Sequence, residues 1–452
     1  MKNPKMKYMN QFSGNLHTRV LRLLFATIVN FAPVVLYGQQ LVSLNDAVQQ
    51  GLVNNYTIQV AKNEAGILSH NISYGNAGFL PSLTTYGSLD KARLNAEVDV
   101  VTGSKLDKEN ADATVTLAGI KAEWVLFDGA GMFAKYEKLK SLWKIGDLES
   151  RITMEHVVLE IILAYCNIIR QQELLKACNQ RLKSSNFRYF IAREKLDSKL
   201  GSEQEWLQSD VARLADSVAL FRQTAELRKS KIILNQLLAT DVQRDFITED
   251  SITLVQIPNI DQLTTNSIES NNLLKIKTEQ LMYSRLEEKS LKSEQYPRLS
   301  LTGSYGYYEN STEAAFINYN RYFGPQVGLT VGMNLFDGKK LITSLQNARI
   351  DIQNKELQLK DMQQQVSAQI AEIYLDYQSM LQTISLGKEK LALAVKNLNI
   401  SMKTFQSGQI SSLQLRVAQD DLFLASSDLV NAYYNAKVKE TELLSVCGML
   451  IK

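Results

Sequence analysis

Proline placement constrains the fold of this chain more than any other feature of the sequence. Proline ends or kinks a helix because it has no backbone N–H to donate and its ring clashes with the preceding turn. The 452 residues contain six prolines: Pro4, Pro33, Pro81, Pro258, Pro297 and Pro325. Residues 82–257 and 326–452 are therefore free of proline, and long uninterrupted helices are expected in both stretches.

Sequence motifs that recur in the same order indicate an internal duplication. Residues 79–83 (FLPSL) resemble residues 295–299 (QYPRL), and the LFDG motif of residues 126–129 recurs at residues 335–338. A third landmark pairs the region of Gly201-Ser202 with that of Gly408-Gln409. Three landmarks in one order are a strong repeat signal, with copies at about 43–240 and about 264–450.

Each copy is expected to contribute one β-hairpin. Small and aromatic residues alternate at period two before each LFDG motif, and this alternation predicts strands. The runs are 83–89, which is weaker than the others, and 114–125, 299–307 and 326–333. The predicted hairpins are 81–127 and 297–336, which makes four strands in the chain.

After each LFDG motif the apolar residues step by four and three, as in the seam of a coiled coil. The seams contain Met154, Val158, Ile161, Tyr165 and Ile168 in the first copy, and Val366, Ile370, Ile373, Tyr377, Met380 and Ile384 in the second. Asp128 and Asp337 are expected to be the N-caps. Helices of about 70 residues would be about 100 Å long. They would turn back near Gly201 and Gly408, giving helix pairs at 129–240 and 338–450, with one further helix before each hairpin.

The N-terminal residues are predicted to be a secretory signal peptide at 1–38. Five basic residues and no acidic ones precede an apolar run that ends at Gly38, which is the order of such signals. A membrane anchor is the alternative, but this run is short and contains Asn30 and Pro33. The formal net charge of the whole chain is +3, so without this segment it is slightly acidic, and nucleic acid is not an expected partner. The first repeat would then be 39–257 and the second 258–452.

The composition does not favour catalysis or metal binding. The chain has three cysteines without a C-x-x-C pair and three histidines, one of which lies in the predicted signal peptide. Few groups could therefore act as acid or base at neutral pH, and a zinc site is not expected. Asp128 and Asp337 are acids that recur at a fixed position, and helix capping explains them. No cofactor and no enzymatic activity are predicted.

Four strands cannot close a barrel, and this limit decides between two architectures. An open sheet in lipid would leave backbone groups unpaired at both edges, at several kcal/mol per group. A membrane-inserted sheet must therefore join copies of itself, whereas a soluble sheet would need its edges covered. Helices on the order of 100 Å exceed what a globular core needs and favour a conduit. A secreted coiled-coil scaffold or adaptor without a pore is the alternative function.

The duplication, the turns at Pro81 and Pro297, the two LFDG motifs and the run that begins at Gly408 together resemble the outer-membrane efflux protein (TolC) family over essentially the whole mature chain. The resemblance implies an α+β membrane protein and a homotrimer. Its three copies would share a 12-stranded barrel in the outer-membrane lipid of a Gram-negative bacterium and a tunnel of coiled-coil helices in the periplasm. It also implies two partners, a periplasmic adaptor and a proton-driven or ATP-driven inner-membrane pump. The chain would conduct cargo passively, and the cargo is not specified.

The resemblance also implies functional residues. The adaptor would dock at the tip turns, at Leu200, Gly201, Ser202, Ser407, Gly408 and Gln409. Well-known members carry acidic residues at the pore constriction, six and nine positions after the glycine of the second tip, but this chain has Gln414 and Val417 there. Glu203, Glu205 and Asp210 could supply the charge instead, although they also suit the solvated start of a helix. Asp128-Gly129 and Asp337-Gly338 would join the barrel to the helices.

Overall fold

The computed structural model describes residues 41–99, 101 and 103–451, so the predicted signal peptide lies outside the described residues. The same order of elements occurs twice along the chain: short helices, a β-hairpin and a pair of longer helices. In chain order they are α1 Leu44–Asn54, α2 Tyr56–His70, α3 Tyr74–Ala77, β1 Ser82–Asp99, β2 Lys105–Asp128, α4 Gly131–Asp197, α5 Glu203–Leu237, α6 Ile260–Ser270, α7 Asn272–Ser293, β3 Arg298–Thr312, β4 Tyr319–Gly332, α8 Lys340–Gln406 and α9 Ser412–Val446.

The long helices of the two repeats match in length. Helices α4 and α8 each contain 67 residues, and α5 and α9 each contain 35. Their first residues differ by the same 209 positions, from 131 to 340 and from 203 to 412. The returning helices α5 and α9 are about half as long as α4 and α8, as the predicted bounds 129–240 and 338–450 imply. In the half nearer the sheet, α4 packs instead against α2 and α7, and α8 packs against α7.

The single helix expected before each hairpin is broken into two helices, and in the first repeat the short helix α3 follows them. Asn55 ends α1 and caps α2, and Asn271 does the same between α6 and α7. Both asparagines have extended backbone, with ψ of 125° and 121°, which a continuous helix cannot accommodate. Their side-chain oxygens accept from the first turn of the following helix, which compensates for the break.

The four strands form one antiparallel sheet in the order β1-β2-β3-β4. Both hairpins have the same register, since Ser82 lies opposite Glu123 and Arg298 lies opposite Gly332. The strands are longer than the alternation predicted, most clearly in β1 and β2, because pairing continues through charged residues where the alternation is lost. Strands β1 and β4 are the open edges of the sheet.

The junction aspartates are not the N-caps that the sequence predicted. The N-caps are Ala130 and Lys339, both in the left-handed region, with φ of 69° and 68°. Asp128 and Asp337 stand two residues earlier and accept from the N–H four residues ahead, at 3.1 Å and 2.8 Å. A turn of two left-handed residues brings each carboxylate over the helix start, so the aspartates still satisfy a free N–H there.

The long helices form an open layer. In the half nearer the tip turns, α5 packs against α4, α4 against α9, and α9 against α8. In the half nearer the sheet, the order is α2, α4, α7 and α8. The first repeat therefore ends the layer with α2 and α5, and the second ends it with α8. The helical layer has the same two open sides as the sheet.

The main core lies where these two halves meet. Buried residues of α1, α2, α4 and α5 form it together with the segment 241–259, which we call the strap. The hydroxyl of Tyr165 donates to the carbonyl of Val42 at 2.8 Å and accepts from the N–H of Glu249 at 3.0 Å. On the other side, Lys437 donates to the carbonyl of Thr253 at 3.0 Å. Helix α4 includes one 18-residue window apolar enough to cross a membrane, with a mean hydropathy of 1.6, of which 39% is buried within the chain.

Candidate functional site: a two-faced sheet and two helical tips

One face of the sheet is polar. The register places these side chains on the same side because successive residues of a strand point to opposite faces. On β1 and β2 they include Thr84, Tyr86, Ser88, Asp90, Lys121 and Glu123, and on β3 and β4 Ser300, Thr302, Ser304, Asn310, Asn320, Gln326 and Thr330. Hydroxyl, amide and charged groups at this density are typical of a surface in contact with water.

The opposite face is apolar and has aromatic residues at both ends. Its aliphatic side chains include Leu83, Leu89, Ile120, Leu301, Val327, Leu329 and Val331. Trp124 and Phe127 lie in the rows nearest the helices, and Tyr305, Tyr307, Phe323 and Tyr319 lie toward the other end. An apolar face with aromatic residues toward both ends matches the lipid-facing pattern of outer-membrane strands. The sheet therefore has the two faces that a wall between lipid and water requires.

The first tip turn connects α4 to α5. The N–H groups of Leu200 and Gly201 both donate to the carbonyl of Lys195, at 2.8 Å and 3.0 Å, and Lys199 takes the left-handed conformation with φ of 59°. Ser202 caps α5 by accepting from the N–H of Glu205 at 3.2 Å. The side chain of Leu200 is 84% exposed, so the turn presents a free apolar residue at its apex.

The second tip turn connects α8 to α9 and corrects the sequence correspondence between the copies. Gly408, with φ of 74°, matches Lys199 by the shift of 209 positions, and it does not match Gly201. Ser411, the N-cap of α9, matches Ser202 in the same way. The two tips thus have the same backbone path, and the sequence comparison was displaced by two residues because it aligned glycines with different roles.

The candidate constriction residues have different environments. Gln414 folds back into a capping box, where its side-chain oxygen accepts from the N–H of Ser411 at 2.9 Å. Val417 is 54% exposed. Glu203 and Glu205 lie in the first turn of α5, where the helix dipole favours acids. Asp210 forms an ion pair with Arg213 at 2.7 Å, so it contributes little net charge.

A charged cluster that the sequence did not reveal joins three helices above the tips. Arg181 of α4 contacts Asp216 of α5 and Asp420 of α9, each at 3.0 Å. Ser185 donates to the second oxygen of Asp216. Arg188 is buried beside this cluster, and burial lowers the pKa of its guanidinium. These residues are far apart in the sequence, so no local pattern could have shown that they meet.

The described residues include no cluster of three His, Cys, Asp or Glu side chains that could hold a metal ion. In the tip region, the buried Asp216 pairs with Arg181, whereas the side-chain oxygen of the buried Gln419 has no hydrogen-bond partner within the part of the chain that the structure describes. The candidate site thus consists of a two-faced sheet and two tip turns, with a cluster of ion pairs where α4, α5 and α9 meet.

Comparisons with known proteins agree with this geometry. Residues 274–449 match the family model described as outer membrane efflux protein. The chain is 21% identical over 408 residues to the "Proteases secretion protein PrtF" of Dickeya chrysanthemi, covering 87% of this chain and 86% of that one. It is 18% identical over 440 residues to the "Outer membrane efflux protein BepC" of Brucella suis biovar 1 (strain 1330), covering 94% of this chain and 90% of that one.

Solved structures share the fold over most of its length. The Campylobacter jejuni CmeC outer membrane channel has a TM-score of 0.74 at 14% identity, with 90% of this chain and 86% of that chain covered. The outer membrane protein VceC of Vibrio cholerae has a TM-score of 0.71 at 15% identity, with 90% and 96% covered. The second repeat thus matches the outer membrane efflux protein family model, and the chain as a whole is similar in sequence and in fold to outer-membrane efflux and secretion proteins.

Proposed function

We propose that the protein is the outer-membrane exit channel of a tripartite export system. Three copies would close into a 12-stranded barrel continuous with a helical tunnel through the periplasm. Cargo delivered by a periplasmic adaptor and an inner-membrane pump would pass through by diffusion, without catalysis. The curated relatives are named for protease secretion and for efflux, and in this proposal the pump selects the cargo.

The observation that carries the proposal is that the sheet and the helical layer are open on the same two sides. The first repeat exposes β1, α2 and α5, and the second exposes β4 and α8. The edge of a second copy would satisfy the unpaired backbone groups of β1 and β4. A head-to-tail contact of this kind closes into a ring when the rotation between copies allows it.

Apolar stripes on the two edge helices support the same closure. On α5, residues spaced by four and three are 49–75% exposed: Leu207, Val211, Leu214, Val218 and Phe221. On α8, residues spaced by seven are 63–67% exposed: Leu386, Leu393 and Ile400. The duplication predicts that these two stripes meet. Within the chain, Arg181 of α4 contacts Asp420 of α9. The shift of 209 positions converts this pair into Lys390 of α8 and Val211 of α5, which would face each other between two copies. Each stripe is a coiled-coil seam that requires a partner helix.

The duplication also specifies the register between subunits. Within the chain, Lys121 of β2 lies opposite Ser304 of β3. Lys121 corresponds to Thr330 of β4 by the shift of 209 positions. Ser304 corresponds to Ser88 of β1 by the shift of 216 positions that relates Ser82 to Arg298. Thr330 of one subunit should therefore lie opposite Ser88 of its neighbour, with both side chains on the polar face.

Cross-linking tests this register. The variant Ser88→Cys/Thr330→Cys, expressed in the outer membrane and treated with a short bifunctional thiol reagent, should give covalent dimers and trimers on denaturing gels. The native Cys166, Cys178 and Cys447 are buried, so the wild-type chain should give monomers. The control Ser88→Cys/Val331→Cys places the second thiol on the opposite face and should cross-link much less. A soluble periplasmic monomer without cross-links would support the scaffold alternative and overturn the channel.

The tip turns are the proposed adaptor-docking site, at Leu200, Gly201, Ser202, Ser407, Gly408 and Gln409. Their backbone geometry is nearly the same in both repeats, so a trimer would present six similar tips. Leu200→Asp should reduce co-purification of the adaptor at least tenfold while leaving the trimer intact, because a charge replaces an exposed apolar contact. Unchanged co-purification would place docking elsewhere.

Gln414, Val417, Glu203, Glu205 and Asp210 remain candidates for the pore constriction. Among them, Gln414, Val417 and Glu203 are exposed. Gln414 is held in its capping box, and Val417 is the uncharged one of the other two. Val417→Asp should change the cation selectivity of single channels in a planar bilayer if this position lines the pore. Unchanged selectivity would point to Glu203 and Glu205.

A further inference from the structure

One row across the polar face of the sheet, near its outer end, has three bulky side chains. The register places Ser88, Leu117, Tyr308 and Tyr322 side by side on β1, β2, β3 and β4. The rings of Tyr308 and Tyr322 stack with centroids 5.3 Å apart and planes inclined by 16°. Tyr322 is 59% exposed, so this aromatic pair faces the space in front of the sheet.

The next row on the same face has almost no side chains. It consists of Tyr86, Gly119, Gly306 and Gly324. The hydroxyl of Tyr86 lies 2.8 Å and 2.7 Å from the positions that a Cβ would take on Gly119 and Gly306, so its ring extends across the glycines. Larger residues there would displace Tyr86. At Gly324 no other part of the described chain lies within 4 Å of such a Cβ position, so free space remains there beside the stacked pair, next to the ring of Tyr86.

Polar residues surround these rings. The row beyond the tyrosine pair contains Asp90, Asn310 and Asn320, and Asn320 donates to the hydroxyl of Tyr322 at 2.7 Å. Leu117, Tyr308 and Tyr322, with Val115 in the row beyond, therefore form a short apolar strip on an otherwise polar face. Aromatic rings exposed to water in this setting offer stacking surfaces to planar ligands.

We propose that Leu117, Tyr308 and Tyr322 form an aromatic collar around the outer end of the conduit, which binds planar aromatic cargo transiently as it leaves. The inference rests on the proposed trimeric channel, in which three such strips would face one another across the barrel. The free space over Gly324, beside the ring of Tyr86, gives a flat molecule room to lie against the rings. The collar is separate from the periplasmic tips, which lie at the opposite end of the molecule.

Single-channel recording tests the collar with defined probes. The wild-type trimer in a planar bilayer is exposed on the barrel side to tetraphenylphosphonium, an aromatic cation, or to tetrabutylammonium, a cation of the same charge without rings. We expect tetraphenylphosphonium to block the current in discrete events. In Tyr308→Ala/Tyr322→Ala the mean duration of these events should fall several-fold, whereas block by tetrabutylammonium should not change.

Two further variants separate stacking from folding. Tyr308→Phe/Tyr322→Phe keeps both rings and should retain the long blocking events. Tyr307→Ala/Phe323→Ala removes the adjacent cross-strand pair, which points to the apolar face, and should behave as the wild type.

Three results would overturn the collar: no tetraphenylphosphonium block of a conducting wild-type channel, equal event durations in wild type and Tyr308→Ala/Tyr322→Ala, or equal shortening in the Tyr307/Phe323 control. A wild-type protein that forms no conducting channel would instead overturn the proposed function on which the collar rests. The two failures are therefore distinguishable in one recording.

Discussion

Arg181 of the first repeat and Asp420 of the second form an ion pair at 3.0 Å, and the same guanidinium contacts Asp216 at 3.0 Å. Asp216 is almost fully buried, whereas the side chain of Asp420 is 36% exposed. One arginine thus connects α4 and α5, the helix pair of the first repeat, to α9 of the second repeat.

Loss of the buried partner should be much more costly than loss of the exposed one. Asp216→Ala leaves Arg181 and Arg188 without their buried carboxylate and should lower the free energy of unfolding by about 3–5 kcal/mol. Asp420→Asn removes a partly solvated partner and should cost about 0–1 kcal/mol. Urea midpoints of the detergent-solubilised protein measure both changes, and equal midpoints for the two variants would contradict this assignment.

The two junction glycines should differ in their tolerance of a side chain. Both are left-handed, with φ of +72° at Gly129 and +70° at Gly338, so alanine should cost about 1–2 kcal/mol at either position. At Gly129 the added Cβ would also lie 2.2 Å from the carbonyl oxygen of Ser293, while at Gly338 no atom lies within 4 Å. Gly129→Ala should therefore lower the thermal midpoint well beyond Gly338→Ala. Similar melting curves would show that the backbone at Ser293 moves freely.

Asn55 and Asn271 should each stabilise two helix ends. Asn271 accepts from the N–H of Leu274 at 3.0 Å and donates to the carbonyl of Val446, the last residue of α9, at 2.7 Å. Asn271→Ala should cost about 1–3 kcal/mol because it removes a cap and leaves a carbonyl without its partner. Asn259 caps α6 at an exposed site, and Asn259→Ala should cost about 1 kcal/mol. Denaturant unfolding measures the loss of stability in both variants. Equal losses in Asn271→Ala and Asn259→Ala would show that Asn271 does not stabilise a second helix end.

The pH dependence of stability should reveal the buried Tyr165. Burial raises the pKa of its hydroxyl from 10.0 to about 12. The folded state thus favours the neutral phenol, and its stabilising effect is complete below pH 10 and is lost as the pH rises from 10 to 12. The stability difference between wild type and Tyr165→Phe should shrink by about 2 kcal/mol over this range. A constant difference in urea unfolding between pH 8 and 12 would contradict the buried, neutral state.

Several elements followed from the sequence because their causes are local. The absence of proline and the steps of four and three predicted α4 and α8, and the period-two alternation predicted the four strands. The tip turns near Gly201 and Gly408 were located correctly because left-handed residues and serine caps end and begin helices by short-range rules. Asn55 and Asn271 are also residues of a type that caps helices, and they separate two helices where one was predicted.

The details that failed depend on geometry that a motif does not encode. The LFDG aspartates act from two residues before the N-cap because two left-handed residues intervene, and Gly408 corresponds to Lys199 because the backbone path, and not the residue type, is what the repeats share. The Arg181 cluster and the stacked pair of Tyr308 and Tyr322 could not be predicted either, because their residues meet only through the packing of separate helices and strands.

The sequence by itself determined the duplication, the period of each segment and the need for partners, since four strands cannot satisfy their own edges in lipid. The tertiary structure alone decided which edges are open and which side chains share a face. That decision depends on strand register and on the order of the helices in the layer, and both are set by contacts between residues far apart in the chain.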